Sequence, residues 1–265
     1  MYLLKSTLRY INHNLEYIIF FIFVLILVVI LINRTLENFF NEQKGINQLD
    51  AIIYINLENR SDRKDLLIKE LESLDVDKSK IHKVSGIYIP KNGHKGCIQS
   101  HILALNMIKL NSPRWKRVLI LEDDAELTVE PDIFNKTLST ALEKLDVVDP
   151  EWNVLMLATL NKVLPNKQQN IDLDIEPSRK LQKIKSATTS SAYIVRDFYV
   201  DKILELFDTC NNKMQPEKLN EKNHEPWALD QQWAILQERD KWYSLEPDII
   251  KQREIWSTIL NESHK

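Results

Sequence analysis

The sequence predicts an α/β domain, in which helices flank a central sheet, preceded by one membrane-spanning helix. Three observations predict this fold class. From residue 49 onward, short apolar runs alternate with segments of helical periodicity. Residues 118–121 are consecutive aliphatic residues, typical of a strand that is buried on both faces of a sheet. Residues 17–32 form an uninterrupted apolar run.

The apolar run at residues 17–32 predicts a membrane anchor. At about 1.5 Å per residue a helix of this length covers about 24 Å, slightly less than the ~30 Å core of a bilayer. A cleaved signal peptide is the alternative, but no small-residue cleavage site follows the run. We therefore expect residues 1–16 to be a short tail, 17–32 a transmembrane signal anchor, 33–48 a stem and 49–265 the folded domain.

Composition and charge exclude several classes of protein. The chain of 265 residues has a formal net charge of -3, so it offers no basic surface for nucleic acid. Its two cysteines, Cys97 and Cys210, argue against a disulfide framework and against a structural zinc site. We therefore expect no nucleic-acid partner and no fold that depends on disulfides.

The first predicted unit is a strand at residues 51–57, followed by a helix for which Ser61 is the predicted N-cap. Arg60 and Arg63 flank the start of this helix. Guanidinium groups beside the free amide groups of a helix N-terminus form a phosphate site. The alternative is that both arginines are solvated surface charges.

A second strand is predicted at residues 81–84, a loop at 86–96 and a helix from Gly96 to about residue 110. Ser100 and His101 are neighbours on this helix and therefore point about 100° apart. They are poorly placed to act as nucleophile and base on each other. Their residue types favour a role in positioning other groups.

The strand at residues 118–121 ends in three acids, Glu122, Asp123 and Asp124. Ligands of open α/β sheets bind beyond the carboxyl ends of the strands. Carboxylates this close repel one another unless a cation or a hydrogen-bonding group lies between them. Their hard oxygen atoms suit Mg²⁺ or Mn²⁺ bridged to phosphates. The alternative is a solvated acidic turn.

The remaining pattern continues the alternation of strands and helices. We predict a helix at residues 130–145, a strand at 152–158, a polar loop over the site at 161–176 and a strand at 186–195. A helix follows at residues 196–207, then a loose segment at 211–226, and a further helix at 229–236 with Asp230 in its first turn.

A series of short motifs occurs in one order along residues 49–259. The motifs are residues 54–57 with Arg60 and Arg63, Gly96-Cys97 with Ser100-His101, residues 121–124, residues 191–193, Asp230, and residues 252–254. This series resembles glycosyltransferase family 25, which includes lipooligosaccharide and procollagen galactosyltransferases. Two departures are Ser191 in place of glycine and Trp256-Ser257-Thr258 in place of Ser-Asp.

The resemblance implies a GT-A fold with a mixed sheet and an inverting hexosyltransferase that uses UDP-galactose with Mn²⁺ or Mg²⁺. It implies that Asp124 and Glu122 hold the metal, and that the nucleotide-binding residues are Asn56, Arg60, Arg63, Glu122, Asp123, Gln252 and Arg253. With the signal anchor, it implies a type II membrane protein of the endoplasmic reticulum or Golgi with a luminal catalytic domain and a glycan or glycoprotein acceptor.

An inverting transfer needs a base that removes the proton of the acceptor hydroxyl. Asp230 is the predicted base, because it lies at a helix start beside Trp227 and Trp233, which could stack on a sugar. The alternative is an ordinary aspartate favoured by the helix dipole. For the whole protein, the alternative is a catalytically inactive, membrane-tethered protein that binds glycans or nucleotide sugars on the same fold.

Overall fold

A computed structural model describes Tyr17 and residues 19–34, 45–167, 170–214 and 224–254. The chain divides into two compact units, residues 1–44 and residues 45–265. The predicted tail at residues 1–16 lies outside the described residues. So do residues 35–44 of the predicted stem and Trp256-Ser257-Thr258.

The predicted anchor is helical wherever the structure describes it, at Tyr17 and residues 19–32, and the helix continues to residue 34. Its apolar side chains are exposed. Among the described residues, no helix combines the length and the apolar character needed to cross a membrane.

The second unit begins before residue 49. Gly45–Gln48 forms a short 3-10 helix. The backbone N–H of Gly45 donates to Ser139 Oγ at 2.6 Å, and that of Ile46 donates to Asn135 Oδ1 at 3.0 Å. The side chain of Ile46 is buried in the hydrophobic core. The last residues assigned to the stem are therefore packed into the folded unit.

The folded unit alternates strands and helices as the sequence predicts. The strands are β1 (Ala51–Asn56), β2 (Ile81–Ser85), β3 (Arg117–Glu122), β4 (Ala125–Leu127), β5 (Val154–Met156), β6 (Leu160–Val163), β7 (Asn170–Asp172), β8 (Lys180–Lys183), β9 (Ser186–Thr188), β10 (Ala192–Arg196), β11 (Trp242–Glu246) and β12 (Ile250–Gln252). The helices are α1 (Ser61–Ser73), α2 (Gly93–Asn111), α3 (Pro131–Val148), α4 (Val200–Lys213), α5 (Leu229–Gln232) and α6 (Ala234–Arg239).

The central sheet is mixed and has 8 strands in the order β2-β1-β3-β10-β5-β11-β8-β7. Strand β1 pairs in parallel with both β2 and β3. Strand β10 runs antiparallel between β3 and β5. Because β1 and β3 are parallel neighbours, their carboxyl ends meet at one edge of the sheet, where the acids of residues 122–124 begin.

Hydrophobic cores cover both faces of the sheet, as the aliphatic run at residues 118–121 predicts. One core contains Leu119 and Leu121 of β3 with Leu67 of α1 and Phe134 of α3, and the other contains Val118 and Ile120 of β3 with Ile98 of α2 and Phe207 of α4. Side chains alternate between the faces of a strand, so only an apolar residue at every position fills both cores. The mixed sheet flanked by helices is confirmed.

Several local predictions differ from the structure. The predicted helix at residues 229–236 is two short helices, α5 and α6, and α2 begins at Gly93, inside the predicted loop at 86–96. The N-cap of α1 is Arg60, without a side-chain hydrogen bond, and Ser61 is the first helical residue. The polar segment at residues 161–176 contains parts of β6 and β7. β6 and β7 are largely exposed, so their polarity reflects solvent contact. The predicted strand at residues 186–195 is two strands, β9 and β10, because the chain turns at residues 189–191.

Candidate active site

A cavity of about 290 Å³ opens at the carboxyl ends of β1 and β3. Its walls are the ends of these strands, the loop before α2, the first turns of α2, the turn between β9 and β10, and the start of α5. Predicted site residues that line it are Asn56, Arg63, Glu122, Asp123, Asp124, Asp230 and Gln252. The sheet thus brings together residues from four distant parts of the sequence.

Asp123 is fixed by two donors from the first strand and helix. Arg63 Nη1 donates to its Oδ1 at 2.8 Å, and Asn56 Nδ2 donates to its Oδ2 at 2.8 Å. Burial raises the pKa of Asp123, although Arg63 and Asn56 partly oppose this shift. Both carboxylate oxygens already have partners, so Asp123 organises the wall of the cavity.

The pair formed by Arg63 and Asp123 is buried, and loss of one partner leaves an uncompensated charge. We expect Arg63→Ala to lower the free energy of unfolding by about 3–5 kcal/mol. Arg60→Ala is the control, because Arg60 pairs with the exposed Asp62, and an exposed pair contributes roughly 0–1 kcal/mol. Urea unfolding of the two variants at one pH gives the comparison. Equal losses would contradict a structural role for the buried pair.

Asp124 has one oxygen that is engaged and one that is not. Its Oδ2 accepts from Gln252 Nε2 at 3.2 Å and lies 3.5 Å from Arg63 Nη1. Among the described residues, no hydrogen-bond partner reaches its buried Oδ1. Burial, with the neighbouring charge of Glu122, raises the pKa of Asp124 to about 7. A cation or a hydrogen-bond donor would satisfy such an oxygen.

The raised pKa of Asp124 makes the stability of the protein depend on pH. The ordinary pKa of this carboxyl is 3.8, and its pKa in the folded protein is about 7. Protonated Asp124 thus stabilises the fold below pH 3.8, and this contribution is lost as the pH rises through about 7. In metal-free buffer we expect the loss to approach about 4 kcal/mol by about pH 8.

The measurement is the free energy of unfolding of the wild type and of Asp124→Asn between about pH 3 and pH 8, an interval that spans the two pKa values. The difference between the two proteins isolates Asp124 from the other carboxyls. As the pH rises across this interval, the wild type should lose stability relative to the asparagine variant. Added Mn²⁺ should restore the stability of the wild type. A difference that stays constant with pH would contradict the raised pKa.

Glu122 faces the opposite wall of the cavity, towards α2 and β10. Its Oε1 accepts from the hydroxyl of Ser190 and lies 3.2 Å from His101 Nε2, while His101 Nδ1 lies 2.9 Å from the Tyr193 hydroxyl. Burial opposes ionisation of Glu122, but His101 and Ser190 outweigh it and lower the pKa of this carboxyl. His101 therefore positions Glu122, as the sequence predicts for a residue of this type.

The motif around Gly96 has a steric explanation. A Cβ atom on Gly96 would lie 2.3 Å from the carbonyl oxygen of Ile87. The hydroxyl of Ser100 donates to Gly96 O at 2.7 Å and accepts from Ile87 N at 2.8 Å. Gly96 and Ser100 therefore hold the loop at Ile87 against α2, and this loop forms one wall of the cavity.

Asp230 lies in the first turn of α5, as predicted, and lines the cavity. Its Oδ2 accepts from the backbone N–H of Thr189 at 3.1 Å. Thr189 has a φ of 71°, which is strained for a β-branched residue. Burial raises the pKa of Asp230, and the charge of Glu122 acts in the same direction. A carboxylate with a raised pKa is a stronger base.

Arg60 and Arg253 do not line the cavity. The guanidinium of Arg60 forms a two-point contact with Asp62. That of Arg253 binds Glu70 at 2.7 Å and Glu126 at 3.0 Å. The backbone N–H of Arg253 donates to the carbonyl of Asp124 at 2.6 Å. Arg253 thus holds the acidic turn in place through its main chain.

The tryptophans near Asp230 do not line the cavity. Trp233 is fully buried, packs edge-on against Tyr193 and Trp242, and donates to Ala187 O at 2.9 Å. Trp227 does not line the cavity. The prediction for Trp233 is wrong, because the short helix α5 turns that side chain into the core.

Sequence reasoning missed several cavity residues. They are Ile87, Tyr88, Ile89, His94, Leu160, Thr189, Ser190 and Leu229. Most lie in connections or at element ends, where no periodic pattern marks the side facing a site. Ser190 directly precedes the motif at residues 191–193, and this position is the feature of the sequence that could have indicated a place in the site.

No protein-family model matches the chain, and no curated protein sequence matches it. Among solved structures, it is similar to a glycosyltransferase involved in glycosylation of the major capsid of PBCV-1, with 10% identity, a TM-score of 0.41, and coverage of 73% of this chain and 80% of that one. It is also similar to mouse xyloside xylosyltransferase 1, with 10% identity, a TM-score of 0.30, and coverage of 74% of each chain.

A third similar structure is mannose-1-phosphate geranyltransferase from Thermus thermophilus, with 10% identity, a TM-score of 0.36, and coverage of 77% of this chain and 73% of that one. At these identities, the activities of the three proteins do not transfer to this chain.

Proposed function

We propose that the cavity belongs to a metal-dependent glycosyltransferase that moves a sugar from a nucleotide-sugar donor to a hydroxyl of an acceptor. One observation carries this proposal. Two carboxyl groups with different surroundings, the buried Asp124 and the half-buried Asp230, line the same cavity beyond the carboxyl ends of parallel strands. Such a pair can divide the work of binding a charged donor and deprotonating an acceptor.

The donor side is the wall formed by β1, α1 and the acidic turn. Asn56 and Arg63 lie there, and Arg63 brings a positive charge beside the acids. The cavity of about 290 Å³ is slightly smaller than the roughly 300–1,000 Å³ of typical small-molecule sites. It therefore suits the sugar and phosphate groups of a nucleotide-sugar donor, with the nucleobase extending towards the open rim near Tyr88.

The residues present fit a divalent metal on the donor side. Asp124 offers the unpartnered Oδ1, and a hard oxygen of this kind suits Mn²⁺ or Mg²⁺. Mg²⁺ sites of this type use one or two carboxylates and complete the shell with phosphates and water. When bound, the metal would supply Lewis acidity to the phosphates of the leaving nucleotide. Glu122 completes the acidic wall on its other side.

The acceptor side is the wall around α5. Asp230 would accept the proton of the acceptor hydroxyl, while the backbone N–H of Thr189 holds its carboxylate in position. A base on the face opposite the leaving group is the arrangement that inverts the sugar carbon. UDP-galactose as donor, inversion, and a glycan or glycoprotein acceptor follow from the resemblance to glycosyltransferase family 25 and form part of this proposal.

We also propose that residues 17–32 attach the catalytic unit to a membrane of the secretory pathway, as a type II protein. The uninterrupted apolar run supports this location. Carbonate extraction of the expressed full-length chain tests it. Retention in the membrane pellet is expected, and release into the supernatant would contradict it.

Release of nucleoside diphosphate tests the proposed activity without knowledge of the acceptor. The full-length chain is incubated with a panel of nucleotide sugars, with Mn²⁺ or with a chelator. Release from one UDP-sugar that requires metal is expected. A folded chain that neither releases nor binds nucleotide would contradict the transferase. Metal-dependent binding without any turnover would favour the inactive binding protein.

A further inference from the structure

We propose that Cys97, His101 and Glu122 form a second metal site, which takes a thiophilic divalent cation such as Zn²⁺. Cys97 and His101 are four residues apart on α2 and therefore lie on one face of that helix. Glu122 ends β3 directly opposite this face. The candidate ligand atoms of the three residues all lie within 4.8 Å of one another.

The spacing of these atoms matches a tetrahedral site. Two nitrogen or oxygen ligands at about 2.0 Å from zinc lie about 3.3 Å apart, and a sulfur at about 2.3 Å lies about 3.6 Å from them. His101 Nε2 and Glu122 Oε1 are 3.2 Å apart. Only the sulfur of Cys97 has to approach, by at most about 1.2 Å, and rotation of its side chain provides such a shift.

Neighbouring groups hold two of the ligands in the required orientation. His101 Nδ1 lies 2.9 Å from the hydroxyl of Tyr193, so an Nδ1–H donated to Tyr193 leaves Nε2 free to bind metal. The hydroxyl of Ser190 donates to Glu122 Oε1. Ligating histidines and carboxylates commonly have such outer partners, which fix the tautomer and the direction of the lone pair.

The types of ligand atom distinguish this site from the proposed metal site at Asp124. Thiolate and imidazole favour Zn²⁺, whereas carboxylate and water favour Mg²⁺ and Mn²⁺. All three residues line the cavity, so a fourth coordination position would face its interior. Three protein ligands with an open position are typical of zinc sites that act on a substrate or respond to one.

The zinc site does not depend on the proposed transferase activity, because its three protein ligands are in place without a sugar donor. Cobalt(II) is the probe, since a bond between cobalt and a thiolate has a charge-transfer absorption that Mn²⁺ and oxygen ligands do not produce. The metal-free full-length chain is titrated with Co²⁺ and then with Zn²⁺. We expect the absorption to saturate at one equivalent and to disappear when Zn²⁺ displaces Co²⁺.

Matched variants identify the ligands. Cys97→Ser should abolish the absorption, whereas Cys210→Ser should retain it, because Cys210 lies on α4 with its side chain buried in the core. Asp124→Asn should also retain it. Absence of the absorption from the wild type, or its persistence in Cys97→Ser, would overturn the proposal.

A measurement on the wild type covers the case in which a variant fails to fold. The rate at which iodoacetamide modifies Cys97 is followed by mass spectrometry of the peptide. Zn²⁺ at saturation should slow this rate at least tenfold, and Mn²⁺ should leave it unchanged. Equal rates with and without Zn²⁺ would exclude coordination by Cys97.

Discussion

Asp124→Asn is expected to reduce metal-dependent release of nucleotide by about 10²–10³-fold, the effect of removing one preorganised electrostatic group from an active site. The substitution keeps the shape of the side chain and its contact with Gln252 but removes the negative charge from the unpartnered Oδ1. Without that charge the proposed Mn²⁺ site loses its anionic oxygen ligand. Initial rates at saturating donor and a range of Mn²⁺ concentrations measure the loss.

Asp132→Asn is the matched control, since Asp132 is an exposed acid in the first turn of α3. Its rate should equal that of the wild type. Circular dichroism of both variants checks that the folds are intact. Wild-type release by Asp124→Asn, with the same dependence on Mn²⁺, would remove Asp124 from the metal site.

Asp230→Asn is expected to reduce transfer by about 10²–10⁴-fold, the contribution of a positioned general base. The amide can still contact the N–H of Thr189 through its oxygen, so the turn should keep its shape. Because we propose that Asp230 belongs to the acceptor wall, affinity for UDP with Mn²⁺ should change less than about threefold. Calorimetric binding of UDP and the rate of donor turnover are measured on the same preparation.

The distinction between these two readouts tests the assignment. A variant that loses UDP affinity and turnover in parallel would place Asp230 on the donor side. A variant with full turnover would leave Asp230 with only a structural role at the start of α5. The pH profile adds a further check, because turnover limited by a carboxylate base should fall as the pH drops through its pKa.

Local patterns were sufficient for β1 and β3, the two strands whose carboxyl ends border the cavity. The aliphatic run of β3 must be buried on both faces, so its place in the interior of a sheet follows from composition alone. The acids of residues 122–124 then necessarily follow the carboxyl end of that strand. Helical periodicity in the segment that begins at residue 229 likewise placed Asp230 in the first turn of a helix, where the structure has it.

Interactions between distant segments could not be predicted from local patterns. Arg60 and Arg63 look equivalent in sequence, yet the helix turns Arg63 inward to Asp123 and leaves Arg60 with Asp62. Likewise, nothing local distinguishes the buried Trp233 from a tryptophan that stacks on a ligand.

By itself, the sequence determined the alternation of strands and helices and the acidic turn after β3. These features depend on the periodicity and chemistry of neighbouring residues. Only the tertiary structure decided that Asp230 shares a cavity with Asp124, that Asp123 is neutralised by Arg63, and that Cys97, His101 and Glu122 converge. The reason is physical: pairing of strands and burial of their faces bring together residues that are far apart in the chain, and no local pattern encodes those distances.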